Sequence, residues 1–231
     1  MTDVRASQGE MEGFSLGEPV VVCRWRLAGG ALPLENRHLR ALAAREVDGR
    51  RLPTTLVNWA KQHIEWTLRT GSSAMPDGVL MIIVDDEMHA AMTVGPFEPL
   101  PLVTADALVA RALASAKEAC ESGVAPETVW AVRDGSLVAG MAPGRRVSGA
   151  ASLVVDLAET LGIPQSCDPT LAASLSRDGQ DEPAGADEVL LVSDEYGVIP
   201  ASDASGPLSG RLADGYARLL EETSRRAARR R

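Results

Sequence analysis

The sequence predicts an α/β (α+β) protein built in two parts, and three observations carry that prediction. Residues 18–95 mix strand-like and helix-like stretches and close on a hairpin signature, and residues 104–231 do so again with a second hairpin. Between them Gly95-Pro96-Phe97-Glu98-Pro99-Leu100-Pro101 is stiff and extended, the composition of a link between domains. The expected organisation is a flexible leader over 1–17, a small N-terminal α+β domain over 18–95, a linker over 96–103 and a larger C-terminal α/β domain over 104–231.

Pro19 to Leu27 has the length and β-branched content of a buried strand, and Gly29-Gly30 reads as the turn after it. Helical character runs from Leu34 to Arg45. A clearer helix spans Pro53 to Thr70, where Pro53 suits the first turn, Leu56, Trp59, Ala60, His63 and Ile64 recur at helical spacing, and Gly71 ends the run. Val79–Val84 and Ala90–Val94 pair as a hairpin across Asp85-Asp86-Glu87, a turn expected to be solvated. In the second part Thr104 caps a long helix that Gly123 terminates. Thr128–Arg133 and Ser136–Ala139 flank Asp134-Gly135, the strongest hairpin signal in the chain. Leu153–Leu161 is helical, 168–185 reads as a polar mobile loop, Val189–Val192 and Val198-Ile199 are strands, and Leu212, Tyr216 and Leu219 mark a last amphipathic helix. The arginines at 225, 226, 229, 230 and 231 read as its frayed, charge-favourable end.

The aromatic content is 3 %, so the core is expected to be aliphatic, with Trp25, Trp59, Trp66 and Trp130 as its large pieces. The formal net charge of −9 disfavours general nucleic-acid binding. Cys23, Cys120 and Cys167 form no pair or zinc spacing and read as buried small hydrophobes in a reducing compartment. The polar N-terminus and the absence of a long apolar run predict no membrane association and a cytoplasmic protein. His38, His63 and His89 have no metal-ligand spacing, and no GxSxG, GxGxxG or GxxxxGK[ST] segment occurs.

Several strings, in order, resemble a known family. Val21–Arg26, Gly29-Gly30 and the helix with His38-Leu39 are similar to an opening strand, turn and "HLxRL" helix. Val129–Val138 is similar to an "NLFLVxDGxLVTP" hairpin, and Leu153–Pro164 to "LELAxELGIP". Asp187–Ser193, Gly197–Pro200 and Gly206–Ser209 resemble "DEVFLTS…GVxPV…GPVT". These belong to the class IV aminotransferases, including branched-chain and D-amino acid aminotransferases and aminodeoxychorismate lyase (fold type IV pyridoxal phosphate enzymes). The resemblance covers roughly residues 18–220. It implies a two-domain α/β scaffold, pyridoxal phosphate (PLP) held between the domains, and a homodimer.

The family's chemistry needs a lysine for the internal Schiff base, and here the matching position falls at or near Ala105. The segment that carries the carboxylate for the pyridine nitrogen is shortened to Val124–Glu127, leaving Glu127 as the nearest acid. The chain has two lysines, Lys61 and Lys117, and both sit in helix-surface charge patterns, Lys61 with Glu65 and Arg69 and Lys117 with Glu121. Of the phosphate anchors, the "HLxRL" arginine falls at Ala41, with Arg40 or Arg37 within reach of the same place. The helix start at Ser148-Gly149, with Arg145 and Arg146 before it, is expected either to hold a small anion or to be an ordinary helix start with solvated arginines. Ser193 stands for the last anchor, but Asp194 and Glu195 follow it and oppose a dianion unless they turn away. The implied cofactor-contacting set is thus Arg40, Arg145, Arg146, Ser148, Gly149 and Ser193, with no catalytic residue, no metal and no bound cofactor expected. The resulting expectation is a catalytically degenerate relative with a residual anion or small-molecule cleft. The alternatives are an active PLP-dependent lyase or aminotransferase using Lys61 or Lys117, and a protein-interaction module on a similar architecture.

Overall fold

Pro19–Arg26 forms strand β1 in the computed structural model, which describes residues 16–47, 49–71, 74–144, 148–176 and 185–230. The strand turns Val21, Cys23 and Trp25 into a core and leaves Arg24 and Arg26 half-buried on its other face, as a period of two requires. Helix α1 (Glu35–Ala43) follows the glycine turn, and its entry residue Leu34 sits in the left-handed region at φ 57°. A short hairpin, β2 (Glu46–Val47) with β3 (Arg50–Arg51), leads to α2 (Thr54–Gly71). β4 (Val79–Asp85) and β5 (Ala90–Gly95) complete an antiparallel sheet of order β1-β4-β5. Its core joins Val21, Trp25, Leu42, Leu56, Ile64, Leu80 and Ile82.

After the proline-rich stretch, α3 (Ala105–Ser122) starts with the Thr104 hydroxyl accepting the Ala107 amide and ends at Gly123, φ 64°. β6 (Thr128–Arg133) and β7 (Ser136–Ala139) meet across Asp134-Gly135, whose φ values of 49° and 72° are the pair a tight hairpin turn needs. Then come α4 (Gly149–Thr160), β8 (Gln165–Cys167), α5 (Leu171–Leu175), β9 (Glu188–Ser193), β10 (Gly197–Pro200) and α6 (Pro207–Arg230). The second sheet runs β10-β9-β6-β7-β8, antiparallel except for the β7–β8 pair. Its central strands are covered on both faces. Trp130, Val132, Leu190 and Val192 pack with residues of α4 and α6, and Val129, Ala131, Val189 and Leu191 with residues of α3 and α5. Two-sided burial is why these strands read as unbroken apolar strings.

The two parts share β1. On the edge away from β4, the Val22 amide donates to the Gly123 carbonyl (2.9 Å), the Ala125 amide to Val22 (3.0 Å) and the Arg26 amide to Asp194 (3.0 Å). The Arg45 guanidinium at the end of α1 also donates to the Gly123 carbonyl. At the far end of α6, Ser224 lies so close to Gly29 that a Cβ there would come within 2.8 Å of its Cα.

Several sequence expectations are corrected. Residues 168–176 are not a loose loop: α5 lies there with Leu171 and Leu175 buried, while 177–184 lie outside the described residues. Asp85 is not solvated; it is fully buried and accepts the amides of Gly17, Glu87 and His89 together with His89 Nδ1, which binds the β4–β5 turn together. Helix geometry continues through the terminal arginines to Arg230, with Arg225 and Arg226 paired to Glu221 and Glu222. Cys120 and Cys167 are exposed, and only Cys23 behaves as a buried apolar residue. Trp66 is 59 % exposed rather than in the core. Among the described residues no helix is long and apolar enough to cross a membrane, and no group of three or more His, Cys, Asp or Glu side chains could hold a metal ion.

Candidate functional site

The start of α4 lies where three segments converge. Ser148 is buried and extended, and its hydroxyl accepts the Ala151 amide as an N-cap. That leaves the amides of Gly149 and Ala150 without an intrahelical acceptor, as at any helix start. They donate to one carboxylate: Gly149 to Asp194 Oδ2 at 3.3 Å and Ala150 to Asp194 Oδ1 at 2.8 Å. Asp194 is buried at the end of β9, and the same Oδ2 lies 3.4 Å from Nδ1 of His38, which is 3 % exposed and has no hydrogen-bond partner on that nitrogen. The His38 ring stacks on Trp25 with centroids 4.9 Å apart and rests against Gly149, where a Cβ would come within 2.6 Å of Nδ1. Glycine at 149 is therefore required by the close approach of α1.

Beside this helix start a cavity of about 740 Å³ opens between α1, α4 and the β7–β8 edge. Arg40, Ala41, Ser148 and Cys167 are among its lining residues. The expected candidates are divided by this geometry. Arg40 and Ser148 face the same cavity, and Arg40 Nε donates to the Asn36 carbonyl within its own helix. Arg37, the other arginine in reach, is held by α4: its guanidinium pairs with Asp156 at 2.6 Å and donates to the Ser152 carbonyl and hydroxyl at 3.2 and 3.1 Å. The Gly149 amide is turned to Asp194, and the Ser193 hydroxyl accepts the amides of Glu195 and Tyr196, both at 3.1 Å, which ties the β9–β10 turn. Arg145 and Arg146 lie outside the described residues.

Asp194 and Glu195 part ways. Asp194 turns in toward the helix, whereas Glu195 turns to Arg24 at 3.7 Å, where burial raises its carboxyl above the ordinary range against the lowering influence of Arg24. Nearby, Arg26 lies over the Phe97 ring at 3.3 Å from its centroid, and the Tyr196 ring lies 6.1 Å from Phe97. Glu127 is buried and fully engaged: it accepts two N–H groups of Arg111 at 2.8 and 2.9 Å, and its own amide donates to Ser115. Ala105 is the first residue of α3, with its amide donated to Asp203 at 2.7 Å. Lys61 is on the exposed surface of α2, and Lys117, with a side chain 77 % exposed, pairs with Glu121 at 3.7 Å.

Asp194 and His38 are the residues that sequence reasoning left out as site members. The signal was present in the acidic residue directly after Ser193 and in the histidine of the "HLxRL"-like string, but its meaning depended on which way Asp194 turns.

This architecture is that of the fold type IV aminotransferases and aminodeoxychorismate lyases. A candidate 4-amino-4-deoxychorismate lyase from Legionella pneumophila superposes with a TM-score of 0.55 at 10 % identity, over 90 % of this chain and 97 % of that one. The branched-chain amino acid aminotransferase of Escherichia coli gives 0.54 at 12 % identity over 87 % and 85 %. A hypothetical aminotransferase from Mycobacterium tuberculosis, in its apo form, gives 0.53 at 16 % identity over 88 % of each chain. No protein-family model and no curated protein sequence matches the chain.

Proposed function

We propose that this protein is a non-catalytic relative of the fold type IV aminotransferases, a scaffold that keeps the interdomain architecture and a small-molecule cleft without Schiff-base chemistry. The observation that carries the reading is the placement of the only two amines of the lysine type. Both are at the helix surface, one paired with a glutamate, and a lysine that forms an imine has to be desolvated and directed into the cleft. Ala105, at or near the matching position, has no amine to offer.

The rest of the site argues the same way. PLP brings a phosphate dianion and a pyridine nitrogen that needs a carboxylate, and it supplies an electron sink once joined to an amine. Here the helix start carries a carboxylate already, and Glu127 is committed to Arg111. These residues do not fit the cofactor. What they leave is the cavity beside α4, with Arg40 in its lining as the anion-recognising group.

Borohydride reduction in the presence of PLP, followed by peptide mass spectrometry, tests the reading. The expected result is no adduct of phosphopyridoxyl mass on any peptide. A stoichiometric adduct on Lys61 or Lys117 overturns it.

A further inference from the structure

We propose that Asp194 is a resident anion: its carboxylate fills, from within the chain, the anion-binding start of α4, and its removal exposes a site for inorganic phosphate. The proposal rests on the reading above for the equivalence of this helix start with the phosphate end of the cleft, and deepens it by naming what closes that end.

Three observations support it. Both free amides of the helix start are spent on the two oxygens of one buried carboxylate, the arrangement in which a helix N-terminus receives a bound anion. The carboxylate comes from a strand end 44 and 45 residues away in the chain, not from the capping position, which Ser148 already occupies. The third is His38, whose buried Nδ1 has no hydrogen-bond partner and lies 3.4 Å from the oxygen that receives the Gly149 amide. Two amides and a buried ring nitrogen thus gather around one carboxylate, more than a structural cap requires. A second anion has no room there, and beside Asp194 it would meet like charge in a water-poor site.

Removing the carboxylate leaves the donors in place. In Asp194→Ala the amides of Gly149 and Ala150 and the ring of His38 face a pocket of carboxylate size that opens beside Ser148. Inorganic phosphate is the probe, read by the backbone amide resonances of Gly149 and Ala150 and by calorimetry on the full chain. Those resonances are expected to stay still in the wild type and to move in Asp194→Ala, with phosphate binding at least about tenfold tighter than in wild type. Adding His38→Gln to that variant weakens the binding. Asp194→Ser, which shortens the side chain and drops the charge, serves if the alanine variant does not fold, and phosphate then raises its melting temperature more than that of wild type.

Wild-type amides that shift at the same phosphate concentrations as the variant's overturn the proposal. So does a folded variant whose amides ignore phosphate. Neither result touches the lysines, and a phosphopyridoxyl adduct in the borohydride experiment overturns the non-catalytic reading whatever these amides do.

Discussion

Glu188 is buried at the start of β9, yet its surroundings favour the charged form. Burial pushes its carboxyl up, but hydrogen bonds from Ser209 and from the Leu208 amide outweigh that and hold it below its ordinary 4.5. The sign for stability follows: the group's contribution is complete above its unfolded value and is lost as pH falls through the lower folded one. Glu188→Gln is therefore expected to lower stability by about 1–3 kcal/mol at neutral pH, with the gap to wild type closing in acid. Melting temperatures of both proteins from pH 7 down to about pH 3 check this, and a gap that does not close removes the charge from the explanation. A different single-residue outcome concerns thiols. Burial pushes the Cys23 thiol up to about 12, while Cys120 and Cys167 are exposed. Titration with a thiol-reactive disulfide should therefore modify two cysteines quickly in the native protein and the third only after denaturation.

At the scale of elements, α5 and the α1–α4 contact make separate demands. Leu171 is fully buried in the core shared with α3 and β6, so Leu171→Ala is expected to cost about 2–5 kcal/mol, measured by urea denaturation; a loss under about 1 kcal/mol would mean the segment is only draped on the surface. Gly149→Ala drives a methyl into the His38 ring, an overpacking cost of about 1–3 kcal/mol that thermal melting would register. Much of this architecture was legible in advance. Asp134-Gly135, Thr104 and Gly123 each specify a turn or a helix end through residues within three positions of each other, the range that local rules read. The helix α5 escaped because its two anchors, Leu171 and Leu175, sit in a stretch whose average is polar. The carboxylate on α4 escaped for a different reason: its partner is a strand end more than forty residues away, and nothing in the local sequence encodes that meeting. Asp85 failed for lack of depth, since a turn of three acids looks solvated until one of them is seen to hold the turn from inside.

Across the whole molecule, β1 belongs to the first sheet and hydrogen-bonds Gly123, Ala125 and Asp194 of the second part, and α6 reaches back to Gly29, so the two cores are expected to unfold together. Trp25 belongs to one core and Trp130 to the other. In Trp130→Phe the remaining tryptophans, Trp25, Trp59 and Trp66, all lie in the first part, so its fluorescence reports on that part and should give the same denaturant midpoint as circular dichroism does on the same variant; separated midpoints would make the two parts independent. The same view shows a common device at the starts of three long helices. Asp203 receives the first amide of α3, Asp194 those of α4, and Glu188 those of α6, each from a distant segment. The middle one has a consequence in mass action. A carboxylate fixed by the fold competes at an effective concentration far above that of any freely diffusing anion, because its place is already settled and is not searched for through a flexible tether. A freely diffusing anion with millimolar affinity for two amides loses that contest at ordinary cellular levels. The occupancy of this helix start is then set by chain geometry and not by what the surrounding solution contains.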